Sequence, residues 1–283
     1  MPKLTIYVFK AILFCMVSAF VFSPSANAQE EFSIQSEHTQ DTREFVVHLP
    51  KSYDPDREDG YPVIYMLDAG AADKLTAETA AFYHWGDLMP ELIVISLKNV
   101  RRGPDFLPHY YSFENNDGEQ VFGNGRQLLS YIEEELIPYA DRTLNTNGDK
   151  VFAGHSWGGQ YLTYALSQSP GLFDAYFITS PAFGDDGEWS QKTFDALEQA
   201  FEKDQGFPDF IYLSSGGDGA PGPLSDAGLL PSYFHLAALL RQHLPEDVKL
   251  IHEVHENANH TSNSAISIAK ALQLYFAPAP EAE

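Results

Sequence analysis

Cysteine is almost missing from this chain: one residue, Cys15, in 283. It lies in an apolar run near the start that is expected to be removed. The mature protein would then hold no disulfide, no thiol nucleophile and no cysteine metal site. Positive charge is also scarce, with 17 Lys+Arg against 40 Asp+Glu and a formal net charge of −23. A surface this acidic repels phosphate backbones and anionic membranes, which argues against a nucleic-acid partner. Beyond Phe22 no hydrophobic run is long enough to span a membrane. There is no internal repeat, phosphate-binding loop or dinucleotide fingerprint. What remains is 44% hydrophobic and 13% aromatic residues, enough for a full core and too much for a disordered chain.

The first 28 residues have the form of a secretory signal. Lys3 and Lys10 precede the apolar run Ala11 to Phe22, and Ser23-Pro24-Ser25 then breaks any helix before the small-x-small triplet Ala26-Asn27-Ala28. Cleavage is expected before Gln29, which leaves a periplasmic or secreted protein with no stable membrane association. An uncleaved anchor is the competing reading, because Leu4 to Phe22 nearly reaches spanning length. Residues 29–277 read as one domain, since no linker interrupts them, and 278–283 (PAPEAE) as a disordered tail.

Strand-like runs appear at Glu44–Leu49, Val63–Leu67, Leu92–Leu97, Lys150–Ala153, Ala175–Thr179, Phe210–Ser214 and Lys249–Val254. Helical patterns fall between them at Arg126–Tyr139, Gly158–Leu166, Gln191–Phe201, Ser232–Leu244 and Ser262–Tyr275. The alternation predicts an α/β fold: a mostly parallel sheet with helices on both faces and an antiparallel start. Two long stretches, Arg101–Gly125 and Ser215–Leu230, lack a regular pattern and follow strands, where ligands of open α/β sheets bind.

The strongest chemical signal is Gly154-His155-Ser156-Trp157-Gly158-Gly159, between a strand and a helix. A bare G-x-S-x-G arises often by chance, but this context is that of a nucleophile elbow. A serine hydroxyl is a poor nucleophile without a base within reach. Of the later histidines, His235 and His243 lie in a helical pattern and His252 and His255 in the last strand. His260, in the polar segment Glu256–Ser262 read as a loop, is the expected base, with His255 as fallback. The acid should follow strand Phe210–Ser214, where Asp218 is favoured and Asp226 is the alternative. The tetrahedral oxyanion needs two amides, assigned to Trp157 and to Gly70, with Ala69 as the alternative register. His252-Glu-Val-His255 has the wrong spacing for a helical zinc motif, so no metal is expected.

Together with Leu49-Pro50-Lys-Ser-Tyr53, Tyr61-Pro-Val-Ile-Tyr-Met-Leu-Asp68, Arg102–Pro108, Glu134-Glu-Leu-Ile-Pro138 and Ser180-Pro181, this motif resembles the putative-esterase family of α/β-hydrolases. That group includes siderophore esterases, S-formylglutathione hydrolases, feruloyl esterases and mycolyltransferases. The resemblance covers nearly the whole mature chain, is nearest to the siderophore-esterase-like branch, and implies an α/β-hydrolase fold and cofactor-free ester hydrolysis through Ser156 and His260. Two positions depart from the family. Asp68-Ala69-Gly70 stands where it usually has Asp-Gly, and its acid is often Glu near Asp218. Arg102 is expected to bind an anionic or oxygen-rich part of the small-molecule ester, the competing role being a salt bridge to Asp105. Tyr110, with Tyr111, Phe113, Trp157 and Phe183, is expected to form an aromatic rim. Acyl transfer with the same triad, or a secreted binding protein with a decayed site, are the alternative functions.

Overall fold

The computed structural model describes residues 29–70, 72–183, 187–203, 205–217, 226 and 228–277, the side chains of 187–189 excepted. The expected signal segment, the expected tail and Asp218 lie outside the described residues.

Eight strands form one sheet. In chain order they are β1 (Gln29–Gln35), β2 (Thr42–His48), β3 (Tyr61–Met66), β4 (Ile93–Leu97), β7 (Thr146–His155), β8 (Ala175–Thr179), β9 (Phe210–Gly216) and β10 (Lys249–His255). Their spatial order is β1-β2-β4-β3-β7-β8-β9-β10. β1 and β2 pair antiparallel, as do β2 and β4; every later pairing is parallel. A separate two-stranded hairpin, β5 (Ser112–Glu114) with β6 (Gln120–Phe122), projects from the first long loop. This is the α/β-hydrolase architecture.

Side chains of a strand alternate between faces, so the sheet carries two cores. Val63 and Tyr65 of β3 enter one, Ile64 and Met66 the other. The first core is covered by α3 (Gly125–Tyr131), a π-helical segment (Ile132–Leu136), α4 (Ile137–Thr143), α5 (Trp157–Gln168), α6 (Gly187–Phe201) and α7 (Leu230–His243). The second lies under α1 (Ala72–Trp85) and α8 (His260–Phe276), through Ala80, Ile268, Ala271 and Leu272. One short helix, α2 (Arg102–Phe106), opens the first long loop.

Several expectations change in detail. Arg126–Tyr139 is not a single uniform helix, because the chain passes through the π segment and continues to Thr143. The stretch Arg101–Gly125 is more regular than its sequence suggests, since it holds α2 and the hairpin. It is anchored by a buried ion pair in which Arg43 of β2 donates to both Asp105 oxygens, at 2.6 and 3.3 Å. Burial alone would raise the Asp105 carboxyl. The hydrogen bonds and charges of Arg43 and Arg101 outweigh it and hold the group below the usual carboxylate range. Among the described residues, no helix is long and apolar enough to cross a membrane.

Candidate active site

β7 ends at His155 and α5 begins at Trp157, so Ser156 alone makes the turn, at φ 61° and ψ −121°. A non-glycine residue rarely adopts a positive φ, and this strain lifts the serine out of the strand. The backbone fixes it on both sides: the Ser156 amide donates to the Thr179 carbonyl at 3.0 Å, and the Ala182 amide donates to the Ser156 carbonyl at 3.1 Å. The flanking glycines have different reasons. A Cβ on Gly154 would meet the Gly158 backbone at 2.8 Å, and one on Gly159 would meet the Thr179 carbonyl at 2.9 Å. At Gly158 the nearest atom would be 3.5 Å away, an ordinary contact.

His260 comes to the elbow from the other end of the chain. It is not in a loop: Asn259 caps α8 by accepting from the Ser262 amide, and His260 is the first helical residue. Its ring lies against that of His155, with centroids 4.6 Å apart. Burial, and next the charge His260 can carry, push His155 down to about 4. The Thr179 hydroxyl donates to the Gly154 carbonyl and takes up His155 Nδ1, so His155 stands as a neutral ring beside His260. Ser156 and His260 are not hydrogen-bonded to each other in this conformation. Such bonds are commonly long before substrate closes the site.

His260 Nδ1 hydrogen-bonds Asp226 Oδ1. Asp226 is 0% exposed, and its other oxygen accepts from the Ser180 hydroxyl at 2.6 Å and the Gly216 amide at 2.7 Å. Burial alone would raise this carboxyl, but the bonds from His260, Ser180 and Gly216 hold it below its ordinary value. The residue against His260 is therefore the alternative from the sequence, while Asp218 lies outside the described residues.

The oxyanion assignment changes on one side. Trp157 is the first residue of α5, so its amide is one of the helix's unpaired N-terminal donors beside Ser156. Gly70 does not present a free amide: its N–H donates to Asp73 Oδ1 at 2.8 Å, and the Ala69 amide donates to the Leu97 carbonyl at 2.8 Å. Asp73 sits in the first turn of α1, is buried, and holds His48 Nε2 with its second oxygen at 2.8 Å. A carboxylate needs donors when buried, and the Gly70 amide is one of them.

Arg102 does not form the competing salt bridge to Asp105. Asp105 is taken by Arg43 and by Arg101, whereas Arg102 donates to Asp68 Oδ2 at 2.8 Å and stays 44% exposed. The pair borders a cavity of about 220 Å³ whose walls include Leu67, Leu75, Phe177 and Ile268 and which reaches Gly154 and His155. Tyr110 is absent from that wall. Its hydroxyl hydrogen-bonds Thr193 of α6 at 2.9 Å, and its ring packs on the core. Phe183 is fully buried, so of the expected rim it is Trp157, 41% exposed, that stands open next to Ser156. Among the described residues no cluster of His, Cys, Asp or Glu could hold a metal.

The fold and the strained serine at its strand–helix turn define an α/β-hydrolase. Residues 36–221 match the family model described as "Putative esterase", and the chain belongs to that family. It is 27% identical over 158 residues to the ferri-bacillibactin esterase BesA of Bacillus subtilis, covering 50% of this chain and 55% of that one. To the siderophore enterobactin esterase of Emericella nidulans it is 30% identical over 99 residues, 32% of this chain and 33% of that one. The chain thus matches about half or less of the length of these two relatives. An IroE-like serine hydrolase from Shewanella oneidensis superposes with a TM-score of 0.76 at 23% identity, covering 88% of this chain and 80% of that one.

Proposed function

We propose that this protein is an exported serine carboxylic-ester hydrolase. The observation that carries the reading is the convergence of Ser156 on its strained turn, His260 at the start of α8 and the buried Asp226 behind it. Ser156 Oγ attacks the ester carbonyl while His260 Nε2 takes its proton. The leaving alcohol then receives that proton, and water, activated by the same histidine, releases the acid from Ser156. Asp226 accepts from Nδ1–H, which leaves Nε2 unprotonated and able to serve as the base. The Trp157 amide is one oxyanion donor. A second, from Ala69 or Gly70, requires that loop to turn, because both amides are engaged in this conformation.

Aryl or siderophore-type esters are the proposed substrates. Support comes from the cavity beside the elbow, lined by Leu67, Leu75, Phe177 and Ile268 together with Arg102, and from relatives named as siderophore esterases. Export rests on residues 1–28. A panel of ester substrates compared by kcat/KM tests this reading. Preference for aryl or catecholate esters over short aliphatic ones supports it, and no hydrolysis of any ester would overturn it.

A further inference from the structure

Asp226 is held from behind by a chain of buried polar groups that ends on a second histidine. Ser180, with the uncommon φ of 40°, turns the chain after β8 and aims its hydroxyl at Asp226 Oδ2, 2.6 Å away. Asn263 Nδ2, on the first turns of α8, reaches Ser180 Oγ at 2.8 Å. Asn263 Oδ1 meets His255 Nδ1, at the end of β10, at 2.7 Å. Ser180, Asn263 and Asp226 are all 0% exposed.

Proton bookkeeping gives this chain a direction. An ionised Asp226 can only accept, so the single Ser180 proton goes to it. Ser180 Oγ must then accept from Asn263, which requires the amide nitrogen on that side. That orientation turns Oδ1 toward His255 and requires a proton on Nδ1. On its far side His255 Nε2 faces Glu253 Oε2 at 3.0 Å and the Tyr212 hydroxyl at 3.5 Å, and Lys270 also holds Glu253. If Asn263 flipped, its oxygen would draw the Ser180 proton away from Asp226. Asp226 would keep only Gly216 and His260. The His255 Nδ1–H opposes that flip.

We propose that His255 is a positioning residue for the catalytic acid, acting through Asn263 and Ser180. The inference rests on Asp226 being that acid. Because the chain orients a carboxylate and touches no substrate, its loss should lower kcat and spare KM.

The test uses the full chain and a p-nitrophenyl ester, with His255→Leu, His255→Asn, Ser180→Ala, the double variant H255L/S180A and Asp226→Asn. Losing one hydrogen bond onto a buried charged system predicts about a tenfold fall in kcat for His255→Leu and for Ser180→Ala. KM should stay within about twofold. His255→Asn places an amide N–H near the position of Nδ1 and should recover most of the rate. The double variant should be no worse than the poorer single one, because both remove the same donation. Losses that multiply in the double variant would overturn the proposal. So would wild-type kcat in His255→Leu, or in Ser180→Ala should the leucine variant fail to fold, while Asp226→Asn is crippled. Wild-type kcat in Asp226→Asn would instead sink the acid assignment on which the proposal stands.

Discussion

Replacing Asp226 by Asn changes one atom in the described site and should nearly abolish the proposed ester hydrolysis. In the native arrangement Oδ2 accepts from Ser180 and Gly216, and Oδ1 accepts from His260. An asparagine placed there must turn its oxygen to the two donors, Ser180 and Gly216. Its NH2 then faces His260 Nδ1, which can satisfy it only as an unprotonated acceptor. The imidazole proton is forced onto Nε2, the nitrogen that has to act as the base. In the chymotrypsin-type precedent this tautomer error costs about ten-thousandfold in kcat. That corresponds to about 5.5 kcal/mol of transition-state stabilisation. Asp226 is fully buried, so a loss of about 10³ to 10⁴ is expected here. Steady-state hydrolysis of a p-nitrophenyl ester measures it, with thermal melting to show that the variant is folded. Asp218→Asn should stay within a few-fold of wild type. A folded Asp226→Asn variant within about tenfold of wild-type kcat would refute the reasoning, and a crippled Asp218→Asn would move the acid.

Three further outcomes follow from the same geometry. Asp105→Asn leaves the buried Arg43 only the part-exposed Asp41 as a charged partner, at 2.8 Å, which should cost about 3 kcal/mol and lower the melting temperature by roughly 10 °C; an unchanged melting temperature would contradict the anchoring role. Arg102→Ala should raise KM for an anionic ester about tenfold with kcat and stability nearly unchanged, whereas equal losses on anionic and neutral esters would leave Arg102 only its bond to Asp68. His155, lowered to about 4, resists protonation in the folded state, while the unfolded chain takes up that proton near 6.5. Stability should therefore decline as pH falls from about 6.5 to 4, and His155→Asn should flatten that part of the profile in denaturant titrations.

How much of this could be read from the sequence depended on which physical signal each element carries. The central strands are runs of β-branched and aromatic residues buried on both faces, so they are plain in the sequence. β1 is not, because QEEFSIQ alternates exposed and half-buried positions at the sheet's edge. α1 escaped for the opposite reason. The face it buries is Asp73, Thr76 and Ala80, while Leu75, Phe82 and Trp85 point outward, so hydrophobic periodicity misleads there. Missing that helix also hid Asp73 as the partner of the Gly70 amide. Ser156 and His260 could be put forward as candidates from the elbow and from chain order, and the fold sets His260 against His155 next to that serine. The acid could not be chosen the same way: Asp218 and Asp226 stand in one loop, and it takes the fold to set Asp226 against His260. Tyr110 illustrates the same limit: an aromatic residue in a long loop reads as a rim, but Thr193, far along the chain, draws it into the packing.

The central claim is that Ser156 carries the acyl group. A rapid acid quench of wild-type protein during p-nitrophenyl ester turnover, followed by digestion and mass spectrometry, tests it most directly. The account predicts an acyl adduct on the peptide containing Ser156, a matching burst of p-nitrophenol, and neither in Ser156→Ala, whose turnover should fall by up to about a millionfold. Undiminished hydrolysis by Ser156→Ala, or an adduct on another residue, would contradict it.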